Sequence, residues 1–361
     1  MEYIIASFII IWGSIYNGKL NHQSKKLYLI FIWLVMTLLM GVRYRVGIDT
    51  MNYMSTYQSI PTFKDFGIYD FHYFRYEPLF LIINIFCKSF FGDFWTVQLI
   101  CAGITNGLII IFLNRYCKNP FLGTLLYFYI SYLYFSTEIM RESIAIGIFL
   151  LNYRNIEKNN YIKYYLFSFL SIGFHYSAII TWLIPLTIFL KFNLIFMLVI
   201  GGMFSITPFV SSFNEMLSIA SISDRVELYI EGNNLNLNFR LGLLLQNMIP
   251  GAFACILLHW NKQQIQFKHM FLLQILFCAG AFAIPIIFQR FINYTQLFAI
   301  VLMSSALCNK KVSSILRKVL FVVVIVSQLH YYSEMFRRWY PYVSIFNPHT
   351  IQERELMWSH F

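Results

Sequence analysis

Residues Phe94–Asn114 read FWTVQLICAGITNGLIIIFLN, a run of 21 residues without a charged side chain. A helix needs about 20 mainly apolar residues to cross the hydrocarbon core of a bilayer, so this stretch predicts a transmembrane helix. Similar apolar runs recur along the chain. They are Met1–Tyr16, Leu27–Val42, Pro78–Phe91, Phe121–Thr137, Ile139–Tyr153, Tyr164–Leu190, Leu194–Phe213, Leu241–His259, Met270–Phe288, Phe291–Cys308 and Val319–Tyr332. The sequence therefore predicts an all-α, polytopic membrane protein, one integral domain over 1–361 with about 12 spans.

Composition supports the membrane prediction. The chain is 58% hydrophobic and 12% charged, with a mean hydropathy of +0.61, whereas soluble domains carry roughly a quarter charged residues. The net charge of +11 is explained by Lys and Arg in cytoplasmic loops, because positive loops stay on that side of the membrane. We therefore predict contact with the lipid bilayer and no nucleic-acid partner.

Loop charge orients the chain. The segments 17–26, 115–120, 154–163, 260–269 and 309–318 are net basic. All of them fall on the cytoplasmic side if Pro78–Phe91 does not cross and Tyr164–Leu190 forms a hairpin of two short helices. The two opposite choices also give about 12 crossings, but they move two basic loops outside. The preferred arrangement leaves the segments 43–77, 214–240 and 333–361 facing outward.

Several arginines fall on the outward side, where the positive-inside rule does not explain them. The guanidinium group stays charged and binds phosphate oxygens two at a time, so arginines collected there suit a lipid-linked diphosphate. The alternative is that they extend to the lipid headgroups as anchors, the interpretation we favour for Arg337 and Arg338. The predicted diphosphate-binding residues are Arg43, Arg45, Arg141, Arg240 and Arg290.

Three residues are candidates for proton transfer. Asp49 and Glu77 are the acidic candidates, and each is either a general base or the counter-ion of a nearby arginine. His175 lies alone in an apolar run, where it is either a hydrogen-bonded core residue or a base with a pKa near neutrality. The sequence places His175 slightly ahead of Asp49 as the base.

Other chemistries lack their sequence signatures. The chain has no P-loop, no GxGxxG after a strand, no DxD cluster and no HExxH, so an ATP-driven pump or a nucleotide-sugar transferase is not expected. Its six cysteines form no CxxC pair, which argues against a zinc site. We predict neither a metal nor a cofactor.

Six ordered fragments carry a resemblance. They are GVRYRVGIDTMNYMSTY at 41–57, YEPLFLIIN at 76–84, IMRESIAIGIFLL at 139–151, GFHYSAIITWLIPL at 173–186, FQRFINY at 288–294 and YPYVSIFN at 340–347. In their order and spacing the chain resembles the EpsG family. The resemblance implies a Wzy-type polymerase of surface polysaccharide, such as an O-antigen, lipopolysaccharide or capsule polymerase.

The resemblance also implies a setting. Such a glycosyltransferase joins repeat units carried on undecaprenyl diphosphate at the outer face of the bacterial plasma membrane. The expected partners are this lipid-linked oligosaccharide, the growing polymer, a chain-length regulator and a flippase. The family's recurrent polar positions correspond to Arg43, Asp49, Glu77, Arg141, His175 and Arg290. Glu142 departs from the family pattern, because it replaces the usual amide after the helix arginine.

Three other functions remain open from the sequence. A flippase or exporter of the lipid-linked unit would also need an arginine-lined cavity. An O-antigen ligase performs nearly the same chemistry as a polymerase. A membrane O-acyltransferase also uses Arg and His in apolar helices, but its recognisable pattern places both in the first helices, and here residues 1–42 hold only His22.

Overall fold

The structure is a computed structural model that describes residues 1–74, 76–189, 242, 246–262, 267–281 and 285–359. Every regular element in these residues is a helix, which confirms the all-α prediction. The α-helices are α1 Glu2–Tyr16, α2 His22–Gly41, α3 Ile48–Ser59, α4 Asp70–Tyr73, α5 Pro78–Phe90, α6 Phe94–Tyr116, α7 Pro120–Tyr127, α8 Leu133–Thr137, α9 Met140–Glu157, α10 Tyr161–Phe174, α11 Ile184–Phe189, α12 Ile249–Trp260, α13 Lys268–Gly280, α14 Pro285–Cys308, α15 Ser314–Trp339 and α16 Ile351–Ser359. A π-helix spans Phe128–Tyr132 and a 3-10 helix spans Tyr176–Leu183.

The chain divides into two compact units. The first comprises Met1–Trp182 together with Glu334–Phe361, and the second comprises Leu183–Ser333. In the first unit α6 packs against α2 and α9, and α9 packs against α10. In the second unit α14 packs against α12 and α13.

Three described helices are long and apolar enough to cross a membrane. They are His22–Gly41, Phe94–Tyr116 and Ile287–Cys308. Apolar helices of 10–17 residues, such as α1 and α5, accompany them. The protein is therefore a helical membrane protein, while the count of about 12 spans stays a prediction.

Helix α5 is too short to span a bilayer by itself. It has 13 residues, which corresponds to a length of about 20 Å against a hydrocarbon core of about 30 Å. Its Lys88 turns back to donate hydrogen bonds to the carbonyls of Tyr57 and Gln58. This geometry fits the sequence interpretation in which Pro78–Phe91 does not cross.

The long apolar run 164–190 is interrupted at His175. Helix α10 ends at Phe174, and His175 has an extended backbone with φ −159° and ψ 127°. The 3-10 helix then returns along α10, because the Tyr164 hydroxyl donates to the carbonyl of Thr181 at 2.6 Å and the rings of Phe169 and Trp182 lie 5.0 Å apart. The run is thus a hairpin with its turn at His175, rather than one long helix.

The tail segment predicted to face outward begins inside a helix. Helix α15 continues to Trp339, beyond the predicted end of its apolar run at Tyr332. The segment 340–354, which we call the C-terminal strap, then pairs with the chain after α2. The amide of Tyr44 donates to Val343 O at 2.9 Å, and the amide of Ile345 donates to Val42 O at 2.8 Å. Two segments predicted to face outward, 43–77 and 333–361, are therefore in contact.

The second unit has a buried network of side-chain amides. Gln296 donates to the side-chain oxygen of Asn247 at 2.9 Å, and Gln274 donates to the Asn247 carbonyl at 2.9 Å. Gln246 donates to Gln328 at 3.1 Å. Buried amides that bond between helices hold apolar helices in register, because an unpaired amide is costly away from water.

Candidate active site

Arg141 lies in the first turn of α9 inside a cage of aromatic rings. Its guanidinium carbon is 5.0 Å from the ring centre of Tyr76, 5.8 Å from that of Tyr53 and 5.9 Å from that of Phe80. The faces of aromatic rings are electron-rich and attract a cation within about 6 Å. The three rings come from α3, from α5 and from the residue before Glu77, so distant parts of the chain hold one charge in place.

Glu77 is the counter-ion of Arg141. Its Oε2 accepts from Arg141 Nη1 at 2.6 Å, and its Oε1 accepts from the backbone amide of Tyr176 at 3.3 Å. The carboxylate is 3% exposed, and it precedes Pro78, the first residue of α5. Since both oxygens are engaged, the geometry favours the counter-ion interpretation of Glu77 over the general-base interpretation.

The Arg141 guanidinium retains donor capacity beyond this pair. A guanidinium carries five N–H donors, and one terminal nitrogen bonds Glu77. Nε of Arg141 is buried without a hydrogen-bond partner among the described residues. The side chain as a whole is 22% exposed, although Nε itself is buried. Arg141 thus combines a carboxylate partner with a nitrogen that has no hydrogen-bond partner among the described residues, in a side chain that is partly exposed.

Helix α3 is fixed at its N-terminus by a buried carboxylate. Oε2 of Glu138 accepts from the amide of Asp49 at 3.1 Å, and a carboxylate is favourable at a helix N-terminus. Gly47 precedes the helix with φ +94°, a conformation that glycine adopts at little cost. A Cβ at Gly47 would lie 2.7 Å from the Thr137 side chain. The tight junction sets the direction of α3 and thus of Tyr53.

Asp49 lies one helical turn from the cage. It is half-buried in the first turn of α3, and Tyr53 follows four residues later. Residues four apart share one face of a helix, with Cβ atoms about 5–6 Å apart. Tyr53 faces Arg141, so the carboxylate of Asp49 belongs to the same side of α3.

His175 forms the turn that packs on Glu77. Its Nδ1 accepts from the backbone amide of Ser177 at 3.2 Å and lies 2.6 Å from the Ser177 hydroxyl. An acceptor Nδ1 carries no hydrogen, which places the hydrogen of the neutral ring on Nε2. The next residue, Tyr176, donates its amide to Glu77. The predicted residues Glu77, Arg141 and His175 thus lie around one point, although in this tautomer His175 acts as a turn cap.

Arg43 has a different environment from Arg141. Its side chain is 0% exposed, and it lies just beyond α2, where burial lowers the pKa of the guanidinium to about 10. The group remains charged at neutral pH, but bulk solvent does not reach it. The predicted diphosphate-binding role of Arg43 therefore requires an opening of the surrounding chain.

The remaining predicted arginines are Arg45, Arg290 and Arg240. Arg45 has φ +54° and stacks on the ring of Tyr44 at 5.0 Å. Arg290 lies in α14 of the second unit and is half-buried. Arg240 lies outside the described residues. The proposed grouping of these arginines with Arg141 stays a prediction.

Sequence reasoning missed the residues that build the cage. Tyr53, Tyr76 and Phe80 surround Arg141, and Glu138 fixes the helix that carries Tyr53. A weak signal was present, because Tyr76 and Phe80 flank the predicted Glu77 at a spacing of four residues. Glu138 gave no signal, since its partner is 89 residues away in the sequence.

The described residues contain no group of three or more His, Cys, Asp or Glu side chains placed to hold a metal ion.

No curated protein and no solved structure matches the chain. The family model of the EpsG family matches residues 3–344, nearly the whole length. The match includes every predicted site residue. The chain therefore belongs to the EpsG family, a Wzy-like polymerase family of membrane proteins.

Proposed function

We propose that this EpsG-family protein is a surface polysaccharide polymerase. It joins repeat units carried on undecaprenyl diphosphate, at the outer face of the bacterial plasma membrane. The family membership supports a membrane polymerase that transfers glycosyl groups. The lipid carrier, the outward orientation and the product, O-antigen or capsule, are our proposal.

The caged Arg141 is the observation that carries the proposal. A partly exposed guanidinium with one resident carboxylate and spare donors suits a diphosphate, whose oxygens accept charge-assisted hydrogen bonds. The aromatic rings hold the cation without neutralising it. A site preorganised in this way acts on charge that develops during the reaction.

The proposed reaction is a single glycosyl transfer. A hydroxyl oxygen of the acceptor sugar attacks C1 of the donor glycan, and the bond between C1 and the diphosphate oxygen breaks. The electron pair of that bond leaves with the polyprenyl diphosphate, whose added negative charge Arg141 stabilises. One such fixed donor contributes about 3 to 4 kcal/mol to the transition state.

We assign the proton of the attacking hydroxyl to Asp49. Its carboxylate belongs to the side of α3 that faces Arg141 through Tyr53. The sequence placed His175 slightly ahead, but Nδ1 of His175 already accepts a hydrogen bond from Ser177. Taking up a proton at that nitrogen would break the turn that contacts Glu77. A positioned proton acceptor contributes roughly 100- to 10,000-fold in rate.

A clean deletion followed by gel analysis of surface glycan length tests the function. Loss of a polymerase leaves single repeat units on the surface, whereas loss of a flippase leaves none. Loss of a ligase leaves polymer that is not transferred from its lipid carrier. Loss of an O-acyltransferase leaves the ladder of chain lengths without its acyl groups. We expect single repeat units, and any of the other three results would contradict the proposal.

A further inference from the structure

Arg43 occupies the junction between three elements of the first unit. Its Nη1 donates to the carbonyl of Met40 in the last turn of α2. Its Nη2 lies 3.5 Å from the hydroxyl oxygen of Thr50 in α3 and 3.1 Å from the sulfur of Met140 at the start of α9. A single buried guanidinium thus contacts the end of one helix and the beginnings of two others.

Two of those contacts lie next to the residues that form the Arg141 cage. Met140 is the residue before Arg141. Thr50 precedes Tyr53 by three residues in α3, and the Tyr53 ring is 5.8 Å from the Arg141 guanidinium carbon. Residues three apart share a helix face. The same nitrogen of Arg43, Nη2, thus contacts both α3 and the start of α9.

The backbone of Arg43 is anchored as firmly as its side chain. The carbonyl of Arg43 accepts from Nε2 of Gln98 at 2.9 Å. The Arg43 backbone also forms an antiparallel β-bridge with Ser344 of the C-terminal strap. Arg354 of the strap also donates to the carbonyl of Arg45 at 3.0 Å. A side chain held from both ends transmits position, because it has little freedom to adjust.

We propose that Arg43 is a positioning residue for the diphosphate site: it fixes α3 against the start of α9, so that Arg141 stays within its aromatic cage, and it does not itself touch the diphosphate. The inference rests on the proposed function of Arg141. It assigns different roles to two arginines that the sequence treats alike. Full burial of Arg43 and the contact with Met140 are the observations behind this difference.

The test measures binding of farnesyl diphosphate, a short polyprenyl diphosphate, to the full-length protein in nanodiscs, with empty nanodiscs as the blank. Arg43→Met keeps a linear apolar side chain, two atoms shorter than that of arginine, and removes all of its hydrogen-bond donors. We expect it to raise the Kd about tenfold, within the range of coupled neighbours. Arg141→Gln removes the direct ligand and should raise the Kd at least as much.

The double variant distinguishes positioning from direct contact. If Arg43 acts only through Arg141, then Arg43→Met combined with Arg141→Gln binds no more weakly than Arg141→Gln alone. Multiplication of the two single effects would identify Arg43 as an independent ligand and overturn the inference. A Kd of the single Arg43→Met variant equal to that of the wild type would also overturn it.

A milder pair of variants covers the case in which Arg43→Met does not fold. Thr50→Val with Met140→Leu removes both acceptors and nearly preserves volume. We expect a rise in Kd of about threefold, which vanishes when Arg141 is already Gln. An unchanged Kd in this pair counts against the inference. Asn152→Leu is the control, because Asn152 also joins buried helices, by a bond to Tyr164 O at 2.8 Å, and should lower the melting temperature without changing the Kd.

Failure of this inference is separable from failure of the proposed function. If Arg141→Gln binds farnesyl diphosphate as the wild type does, the diphosphate site itself is wrong. If Arg141→Gln loses binding while both Arg43→Met and the Thr50→Val, Met140→Leu pair retain it, only the positioning role is wrong.

Discussion

The pairing of Arg141 with Glu77 shows how one residue type takes two roles in this chain. Arg43 follows the apolar run Leu27–Val42, Arg141 lies near the start of the run Ile139–Tyr153, and the sequence predicts an outward position for both. Arg141 is partly exposed and has a carboxylate partner, whereas Arg43 is fully buried and bonds a carbonyl, a hydroxyl and a thioether. The side chain's surroundings, not its identity, decide whether it can meet a substrate.

Replacement of Glu77 by Gln should destabilise the first unit. The change leaves a largely enclosed guanidinium without its counter-ion, and breaking such a pair costs about 3 kcal/mol. Thermal unfolding in detergent should show a lower melting temperature. Glu157→Gln is the matched control, because Glu157 is exposed and accepts a surface hydrogen bond from Tyr116. Equal melting temperatures for both variants would show that the ion pair between Glu77 and Arg141 does not stabilise the first unit.

The roles of Asp49 and His175 predict opposite results. Asp49→Asn removes the proton acceptor but keeps the shape of the side chain, so the transfer rate should fall roughly 100- to 10,000-fold. His175→Asn places an amide oxygen near the position of Nδ1, keeps the turn with Ser177, and should change the rate less than tenfold. The measurement is the rate of glycan elongation by purified protein. A large loss for His175→Asn with little effect of Asp49→Asn would restore His175 as the base.

At the scale of elements, junctions rather than helix interiors define the site. The π-helix Phe128–Tyr132 lies between α7 and α8, and the hydroxyl of the buried Tyr132 donates to the carbonyl of Met36 in α2. Helix α8 then ends at Thr137, whose hydroxyl accepts from Nε1 of Trp339 at 2.9 Å. The side chain of the following residue, Glu138, accepts a hydrogen bond from the amide of Asp49 at the start of α3. Thr137 and Glu138, at the end of α8, thus contact the first turn of α3, the helix that carries Asp49 and Tyr53.

Replacement of Gly47 by Ala should disturb the junction of α3. The residue has φ +94°, and its Cβ would lie 2.7 Å from Thr137, so strain and a steric clash act together and should cost about 2 to 3 kcal/mol. Gly92→Ala is the matched control, because Gly92 has φ +85° but nothing within 4 Å of a Cβ. The melting temperature should fall further for Gly47→Ala, and its rate of elongation should fall as well. Identical losses in the two variants would assign the whole effect to backbone strain.

At the scale of the whole molecule, the sequence predicted the class of the protein and the interruption of the apolar run 164–190. Apolar runs predicted the helices, because burial in lipid requires that composition. Loop charge favoured an arrangement in which Pro78–Phe91 does not cross and Tyr164–Leu190 forms a hairpin. The structure has a 13-residue α5 and a chain reversal at His175, while the crossings themselves stay a prediction. The polar residues Glu77 and Arg141 were identified by their occurrence beside apolar segments, where a charge is costly.

The remainder of the site depends on contacts between distant residues. Arg43 meets Met140 across 97 positions, and Arg141 meets Glu77 across 64. No local pattern encodes such pairs, so the sequence could not separate a buried arginine from a caged one. The aromatic cage was hidden for the same reason, because tyrosine and phenylalanine are common throughout the chain, with 25 Tyr and 38 Phe.

The most direct test of the account is glycan elongation by the purified protein supplied with repeat units on polyprenyl diphosphate. The wild type should form longer lipid-linked glycans and release free polyprenyl diphosphate. The Arg141→Gln variant should insert into the membrane and fold, but its rate of elongation should fall about 100- to 1,000-fold. Arg154→Gln, an exposed arginine in the last turn of the same helix, should elongate as the wild type does. Equal elongation by Arg141→Gln and the wild type would contradict the central claim that the caged arginine stabilises the departing diphosphate.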